Sequence, residues 1–588
     1  MAVTPRIIVV GGGLAGLAAV IKIAEAGGTV DLFSIVPVKR SHSVCAQGGI
    51  NAAKNLKGEG DDVFKHFDDT IYGGDFLAHQ PPVKAMCEAA PAIIYLFDRM
   101  GVMFNRTPEG LLDFRRFGGT KHHRTAFAGA TTGQQLLYAL DEQVRRYEAD
   151  GLVRKFEGWE MLSLVQDESG DCRGIVAIDT RSLEMRAFPA DTTLIATGGP
   201  GLVFGRSTQS LVNTGSAVSA CYQAGATYAN GEFIQVHPTA MQGEDKFRLI
   251  SESIRGEGGR VWTYRDGKPW YFLEEMYPAY GNLVPRDIAT RAIHKCVFEM
   301  KLGIDGQPLV YLDVSHLDPE ELNRKVAGVL EIYEKFAGQD PRKVPMKIFP
   351  AMHYSMGGLW VDYHQQTNVP GLFAAGECEF QYHGANRLGA NSLLSCMHGG
   401  NIAEPAMIEY AKSKKSAASS TMFDQELKLQ RESFDKIFKL SGPENAFALW
   451  RELGDLMTEN VTVVRHNDKL KITDDKLLEF KERWGRIGLN DKGKWANQEV
   501  LFVRQLWNML ELARPITLGA LNRNESRGAH FKPEFPERDD ANFLKTTMAA
   551  WSSDGPRFSW EPVDVSLIKP RPRRYDVEKS ASEPKAAA

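Results

Sequence analysis

Cysteine is scarce in this chain and badly spaced for metal. Seven occur, at Cys45, Cys87, Cys172, Cys221, Cys296, Cys378 and Cys396. None forms a C-x-x-C pair, so no iron–sulfur or zinc motif lies within the chain and no metal ligands are expected. If electrons leave singly through clusters, those clusters belong to another polypeptide. Long apolar runs are missing too: nothing approaches a membrane span, so a membrane would be reached only through a partner. Neither charge sign dominates. The formal net charge of −4 leaves no electrostatic footprint for nucleic acid. A secretory or twin-arginine leader is not expected either, because Val3 to Val10 already reads as a strand. The expected setting is the cytoplasm, or the cytoplasmic face of the cell membrane by way of partners.

What is present begins at once. Arg6-Ile7-Ile8-Val9-Val10 has the composition of a buried parallel strand. Gly11-Gly12-Gly13-Leu14-Ala15-Gly16 follows as G-x-G-x-x-G, then an Ala- and Leu-rich helical stretch to Ala26, then a second strand at Thr29–Phe33. Gly11 permits the tight turn, Gly13 lets the backbone approach a pyrophosphate, and Gly16 lets helix and strand pack closely. The phosphates belong at the helix N-terminus. The hexapeptide alone is a weak signal, but strand, motif, helix and strand in succession argue for a dinucleotide. One position departs from the pattern: Ser34 stands where an acidic residue would meet the ribose.

The fold class expected is α/β, a Rossmann-like dinucleotide domain that is discontinuous in sequence. With 588 residues several domains fit. Residues 1–235 form its first part. It includes a strand ending in Gly198-Gly199 and, from about Leu152 to Pro189, an antiparallel insertion. Residues 236–348 mix short strands, helices and aromatics and read as an inserted α+β capping domain. Residues 349–411 resume the strand-plus-glycine style at Gly371–Glu377. Lys412 to Thr421 reads as a linker. Helical patterns at about 424–440, 444–460, 474–487 and 493–514 mark a helical domain over 422–530. A small C-terminal segment, 531–588, carries the basic run Lys569–Arg574, read as a solvated tail, and a disordered end at Lys579–Ala588.

Histidines and arginines gather in glycine-rich loops. His42 lies in Arg40-Ser41-His42-Ser43, shortly after the second strand, where the chain approaches the redox ring of a bound dinucleotide. His237-Pro238-Thr239, Ser251-Glu252-Ser253-Ile254-Arg255-Gly256-Glu257, Pro285-Arg286-Asp287, Met352-His353-Tyr354 and Asn386-Arg387-Leu388 complete the set. Each alone has a plain explanation, such as a helix-start salt bridge for Arg286-Asp287 or a satisfied core histidine for His353. Together, two arginines and two histidines would hold a small dicarboxylate, since guanidinium binds carboxylate through paired hydrogen bonds.

These motifs resemble the flavoprotein subunit of succinate dehydrogenase and fumarate reductase over nearly the whole chain. Arg40–Ser43, Ala46-Gln47-Gly48-Gly49, His237-Pro238-Thr239, Arg255–Gly259, Gly371–Ser392, Glu525–His530 and Arg538-Asp539-Asp540 carry the resemblance. It implies FAD attached covalently through His42. It implies FAD contacts from Gly11, Gly12, Gly13, Leu14, Ala15, Gly16, Ser34, Lys39, Ser41, Ser43, Gln47, Gly48, Gly49, Glu377, Ser392 and Leu393. Ser216 departs from the family's aspartate. The resemblance further implies dicarboxylate binding by His237, Ser251, His353 and Arg387, with Ser251 in place of a threonine. Arg286 would move the proton, and Glu252 and Arg255 would relay it. Succinate and fumarate are the implied substrates. An iron–sulfur subunit and a cytochrome b-type membrane anchor are the implied partners. L-aspartate oxidases share the superfamily but usually lack the linking histidine, so His42 separates the two readings.

Overall fold

The computed structural model describes residues 4–413 and 419–577. Its centre is a five-stranded parallel sheet in the order Leu372–Ala374, Thr192–Ile195, Arg6–Val10, Thr29–Ser34, Val153–Glu157. Ile7, Ile8, Val9 and Val10 are all buried, because helices and strands cover both faces of a central parallel strand. The helix Leu14–Glu25 follows the glycine turn, and its Gly16 is a packing residue. A Cβ there would lie 1.9 Å from the Gly11 carbonyl oxygen. The helix Ser392–Ser413 crosses this first helix through Gly400, where a Cβ would lie 2.3 Å from the Ala15 carbonyl oxygen. Its first turn therefore arrives at the carboxyl ends of the strands, where ligands bind in such sheets.

The insertion expected over 152–189 divides into two parts. Val153–Glu157 pairs in parallel with Thr29–Ser34 and completes the main sheet. Only Trp159–Gln166, Cys172–Asp179 and Met185–Pro189 form the antiparallel meander. Alternating polarity marked the whole stretch as antiparallel, but Phe156 stacks on Phe33 at 4.6 Å and ties the first strand to the sheet edge.

The next sheet has six strands, in the order Arg248–Leu249, Ile234–Met241, Met346–Ser355, Val310–Asp313, Arg260–Arg265, Lys268–Trp270. Met346–Ser355 runs beyond the expected boundary at 348, and its far end carries His353. The helix Arg286–His294 packs on Ile234–Met241, so Arg286 enters from its first turn.

Four long helices follow: Ser420–Phe438, Ala446–Val461, Asn467–Trp484 and Gln498–Asn522. The third starts earlier than its pattern suggested, because a charged first turn hides the buried Leu470 and Thr473. The fourth runs on through Pro515 to Asn522, past the expected end at about 514. Of the expected linker, 414–418 lie outside the described residues, as does the low-complexity end Lys579–Ala588. Lys412 and Ser413 close one helix, and Ser420 and Thr421 open the next.

Lys545–Ala550 and Arg557–Pro562 pair with Tyr228–Ala229 and Gly358–Leu359 in a four-stranded sheet. The basic run beyond them is not a solvated tail. Arg571 binds the Asp68 carboxylate at 2.8 and 2.9 Å, and Arg573 binds Asp287 at 2.5 and 3.0 Å. Asp68 and Asp287 are buried, and a buried carboxylate requires a partner. Asp287 thus pairs with Arg573, not with its neighbour Arg286.

Candidate active site

A cavity of about 410 Å³ opens at the carboxyl ends of the parallel strands. Gly11, Gly12, Gly13, Leu14 and Ala15 line one side. Gly11 has φ +121°, and a Cβ there would lie 2.1 Å from the Ala196 carbonyl oxygen. At Gly13 a Cβ would come near only the Ser43 hydroxyl, at 3.2 Å, so the helix N-terminus behind it stays approachable. That hydroxyl also accepts from Leu14 N at 3.2 Å. Ser34, Ser41, His42, Ser43, Gln47, Gly48 and Gly49 continue the wall, and Ser216, Glu377, Ser392 and Leu393 lie in the same lining. The Ser216 hydroxyl accepts from Thr214 Oγ1 at 2.9 Å. Arg115 pins the loop by donating to the Gln47 and Gly48 carbonyls, each at 2.9 Å.

Two of the expected contacts lie elsewhere. Gly16 faces the strand, as described above. Lys39 does not line the cavity: its ammonium meets Asp141 at 3.6 Å and Glu142 at 3.5 Å, over the Tyr138 ring. Two carboxylates on one helix draw its charge away from the cavity.

His42 begins a short 3-10 turn, His42–Cys45, beside the glycine loop. Its Nδ1 is sealed from water and has no partner within the protein, and the same holds for Gln47 Oε1. Burial, then the nearby Lys246 ammonium, push the imidazole pKa down to about 4. The ring is therefore neutral near pH 7 and keeps a free lone pair. Open N–H groups at the helix N-terminus, glycines that a Cβ would block, and these two unpartnered polar atoms suit a flavin dinucleotide.

At the inner end, Glu252 stands between two arginines. Arg286 Nε donates to Glu252 Oε2 at 2.8 Å, and Arg255 Nη2 donates to Oε1 at 2.8 Å. Gly118 N adds a third hydrogen bond at 3.1 Å. Burial works to raise the Glu252 carboxyl, but Arg286 and Arg255 overcome it and hold the pKa below the usual range. Arg255 anchors on the Asn282 and Val284 carbonyls at 2.7 and 3.0 Å, outside the cavity lining, while Arg286 and Glu252 lie within it. The three form a continuous hydrogen-bonded chain leading away from the cavity.

His237, Ser251, His353 and Arg387 complete that end. The two imidazoles lie 5.0 Å apart, centre to centre. Thr239 N donates to His237 Nδ1 at 3.2 Å, and a backbone amide can only donate. The same Nδ1 also lies 3.2 Å from the Thr239 carbonyl oxygen, while Nε2 is a buried atom with no protein partner. Burial, Arg286 and Arg387 hold the His353 pKa well below the usual range, and burial, Arg286 and His353 do the same for His237. Arg387 lies over the Tyr354 ring at 4.2 Å, and burial followed by Arg286 lowers its pKa to about 9. Its Nε is buried and unpartnered. Burial pushes the Glu377 carboxyl up to about 7. Three guanidiniums thus face one firmly ionised carboxylate, leaving positive charge for a dianion.

Three residues here carried no motif. Gln235 accepts from Arg286 Nη1 at 2.9 Å and donates to Asn386 Oδ1 and the Arg387 carbonyl at 2.9 and 2.8 Å, so it spaces the two arginines. It lies two residues before His237, so strand alternation puts both on one face. Thr208 meets His353 Nδ1 at 2.7 Å from a loop with no pattern. Lys246 lines the cavity and donates to the Gln209 carbonyl at 2.7 Å.

Comparison with known proteins gives the family. Residues 6–393 match the family model described as FAD binding domain, and residues 450–575 match fumarate reductase flavoprotein C-term. A succinate dehydrogenase flavoprotein subunit of Bacillus subtilis is 67% identical over 98% of this chain and 99% of its own length. A fumarate reductase flavoprotein subunit of Haemophilus influenzae is 34% identical over 99% of this chain and 98% of its own. A chain from an Escherichia coli quinol fumarate reductase structure superposes with a TM-score of 0.92 at 31% identity, covering 98% of this chain and 100% of that one. With a glycine turn built for a dinucleotide and a buried arginine–carboxylate chain at one cavity, the chain belongs to the flavoprotein subunits of succinate dehydrogenase and fumarate reductase.

Proposed function

We propose that the chain interconverts succinate and fumarate with FAD held covalently through His42. In this reading it passes electrons to an iron–sulfur subunit of a membrane-associated succinate:quinone oxidoreductase. The observation that carries this reading is one cavity lined by the glycine turn, His42, Arg286, Glu252, His237, His353 and Arg387. The name of the Bacillus subtilis relative favours succinate oxidation as the working direction.

FAD, when bound, supplies the hydride acceptor. The glycine turn and the first turn of the helix after it would hold the pyrophosphate. Ser392 and Leu393, at the start of a second helix, would hold part of the flavin. The neutral His42 ring is suited to form a covalent link. His237 and Ser251 would bind one substrate carboxylate, and His353 and Arg387 the other. Those donors would also stabilise the negative charge that builds on a carboxylate as the adjacent carbon loses its proton. Arg286 would take that proton and pass it through Glu252 to Arg255. Guanidinium normally holds its proton firmly. Arg286 is placed for the role by its seat in the cavity lining and its 2.8 Å hydrogen bond to Glu252.

Among the described residues, no helix is long and apolar enough to cross a membrane. Peripheral attachment at the cytoplasmic face, through an anchor subunit, is the arrangement proposed. Two measurements test the reading. Flavin fluorescence should migrate with this chain on a denaturing gel and vanish in His42→Ser. The assembled enzyme should reduce a dye with succinate. A chain without bound fluorescence, or a complex inert towards succinate, would overturn it.

A further inference from the structure

His353 Nδ1 meets a neighbour outside every motif, Thr208. Thr208 lies in the loop between Gly201–Phe204 and the helix Ser216–Gln223. Its position is over-determined. Thr208 N donates to the Met352 carbonyl at 3.0 Å. Gln209 Nε2 donates to the His353 carbonyl at 3.2 Å and also to Glu377 Oε1, and Gln209 Oε1 accepts from Gly201 N at 3.1 Å. Lys246 Nζ clasps the Thr208 and Gln209 carbonyls from the other side, at 3.4 and 2.7 Å. The hydroxyl held this way sits 2.7 Å from His353 Nδ1 and 3.2 Å from the Met352 carbonyl oxygen.

We propose that Thr208 is a positioning residue: its hydroxyl donates to His353 Nδ1 and fixes the neutral ring with its proton on Nε2, where it donates to a substrate carboxylate. The inference rests on the reading of His353 as a dicarboxylate ligand. The chemistry of the ligand sets this direction: the opposite tautomer would aim a bare Nε2 lone pair at a carboxylate, which repels. The Thr208 hydroxyl also lies 3.2 Å from the Met352 carbonyl, but its contact with the ring is the shorter, at 2.7 Å. Thr208 thus orients the ring from behind, and its Nε2–H becomes a donor for the substrate.

The charged ring is not an alternative near neutral pH. Arg286, Arg387, Lys246, His237 and His42 surround His353, while Glu377 is taken up by Gln209 and Ser355 N, and Glu252 by Arg286 and Arg255. The donor therefore has to come from the tautomer.

The test uses the assembled complex with its flavin attached and three variants, Thr208→Val, Thr208→Ser and His353→Ala. Binding of malonate, a dicarboxylate with no vicinal carbons to dehydrogenate, is read from the flavin absorption spectrum between pH 5.5 and 8. Thr208→Ser should bind within about 3-fold of the unchanged enzyme. Thr208→Val, which keeps the shape and loses the proton, should weaken malonate binding and raise the succinate KM by about 10-fold or more, the scale of a lost hydrogen bond to a charged group. The loss should persist across this range, because the buried ring stays neutral. If Thr208→Val binds like the unchanged enzyme while His353→Ala does not, the proposal is overturned. Equal losses in Val and Ser would overturn it as well, by showing a packing role. Unchanged binding in His353→Ala would overturn the reading beneath it.

Discussion

Glu252 Oε2 lies 2.8 Å from Arg286 Nε, and Glu252 Oε1 lies 2.8 Å from Arg255 Nη2. One carboxylate therefore joins the guanidinium at the cavity to the one behind it. A proton leaving Arg286 towards Arg255 has this route, with no water required.

Arg286→Gln should test that route directly. Glutamine keeps a hydrogen-bond donor but cannot shuttle a proton. Turnover is expected to fall by about 10²–10⁴-fold, the usual contribution of a positioned acid or base. Flavin should remain attached, because Arg286 lies at the far end of the cavity from the glycine turn. Steady-state dye reduction, normalised to gel fluorescence, measures both at once. Turnover within 10-fold of the unchanged enzyme would rule Arg286 out as the proton carrier.

Glu252→Gln separates the carboxylate from its shape. Two buried guanidiniums would then share a neutral amide. Removing one member of a buried charge network costs about 3–5 kcal/mol, so the melting temperature should drop together with turnover. Arg255→Lys is expected to be milder. Lysine keeps the charge next to Glu252 but loses the fork that holds both the Asn282 and Val284 carbonyls.

Much of this arrangement was legible in the sequence, and the parts that were not share a cause. The glycine turn, the first strands, His42 and the arginine motifs all carry local patterns, since each element is built from neighbouring residues. Gln235, Thr208 and Lys246 matter only through contacts made across the fold, and a single glutamine, threonine or lysine has no pattern. Lys39 shows the converse. It sits in a promising segment, but Asp141 and Glu142 on another helix claim its charge. The basic run near the C-terminus was misread for the same reason, because its partners Asp68 and Asp287 are hundreds of residues away.

Gly11→Ala should abolish flavin binding. The residue has φ +121°, and the new Cβ would stand 2.1 Å from the Ala196 carbonyl oxygen, on the neighbouring strand of the same sheet. Neither clash nor backbone strain can be relieved without moving a strand that lines the cavity. The purified variant should show no flavin absorbance and no gel fluorescence. Full flavin content would mean the turn is softer than its geometry indicates.

Arg573→Ala should destabilise the chain, while Arg574→Ala should leave its stability unchanged. Arg573 and Asp287 are both buried and doubly hydrogen-bonded, whereas Arg574 meets Asp576 at the surface. Asp287 would keep only its longer ion pair with Arg291, at 3.5 Å, and the loss is expected to cost about 3–5 kcal/mol. Because Asp287 follows Arg286 in the first turn of one helix, turnover should fall with stability. Thermal melts of the two variants side by side make the comparison. Equal melting temperatures would show that the C-terminal run does not hold this helix.

Acid should destabilise the fold through its histidines before its carboxylates titrate. Burial is the first cause that lowers the pKa of His42, His66 and His398, to about 4, 3 and 4. Burial likewise holds His237, His353, His383 and His530 well below the usual value. In the unfolded chain these rings take up a proton near pH 6.5. Between that pH and the lower folded values the unfolded state binds more protons, so stability falls as pH falls. Each such ring adds up to about 1.4 kcal/mol per pH unit to the slope. Glu160, Glu377 and Glu379, whose pKa values burial raises, act in the opposite sense but are fewer. Asp75, Glu252 and Asp287 are held below the usual carboxylate range by arginines, so their contribution is lost only at more acidic pH. Urea midpoints should therefore fall steadily from pH 7 to pH 5. A midpoint that is flat or rising over that range would mean that the rings already carry protons in the folded chain.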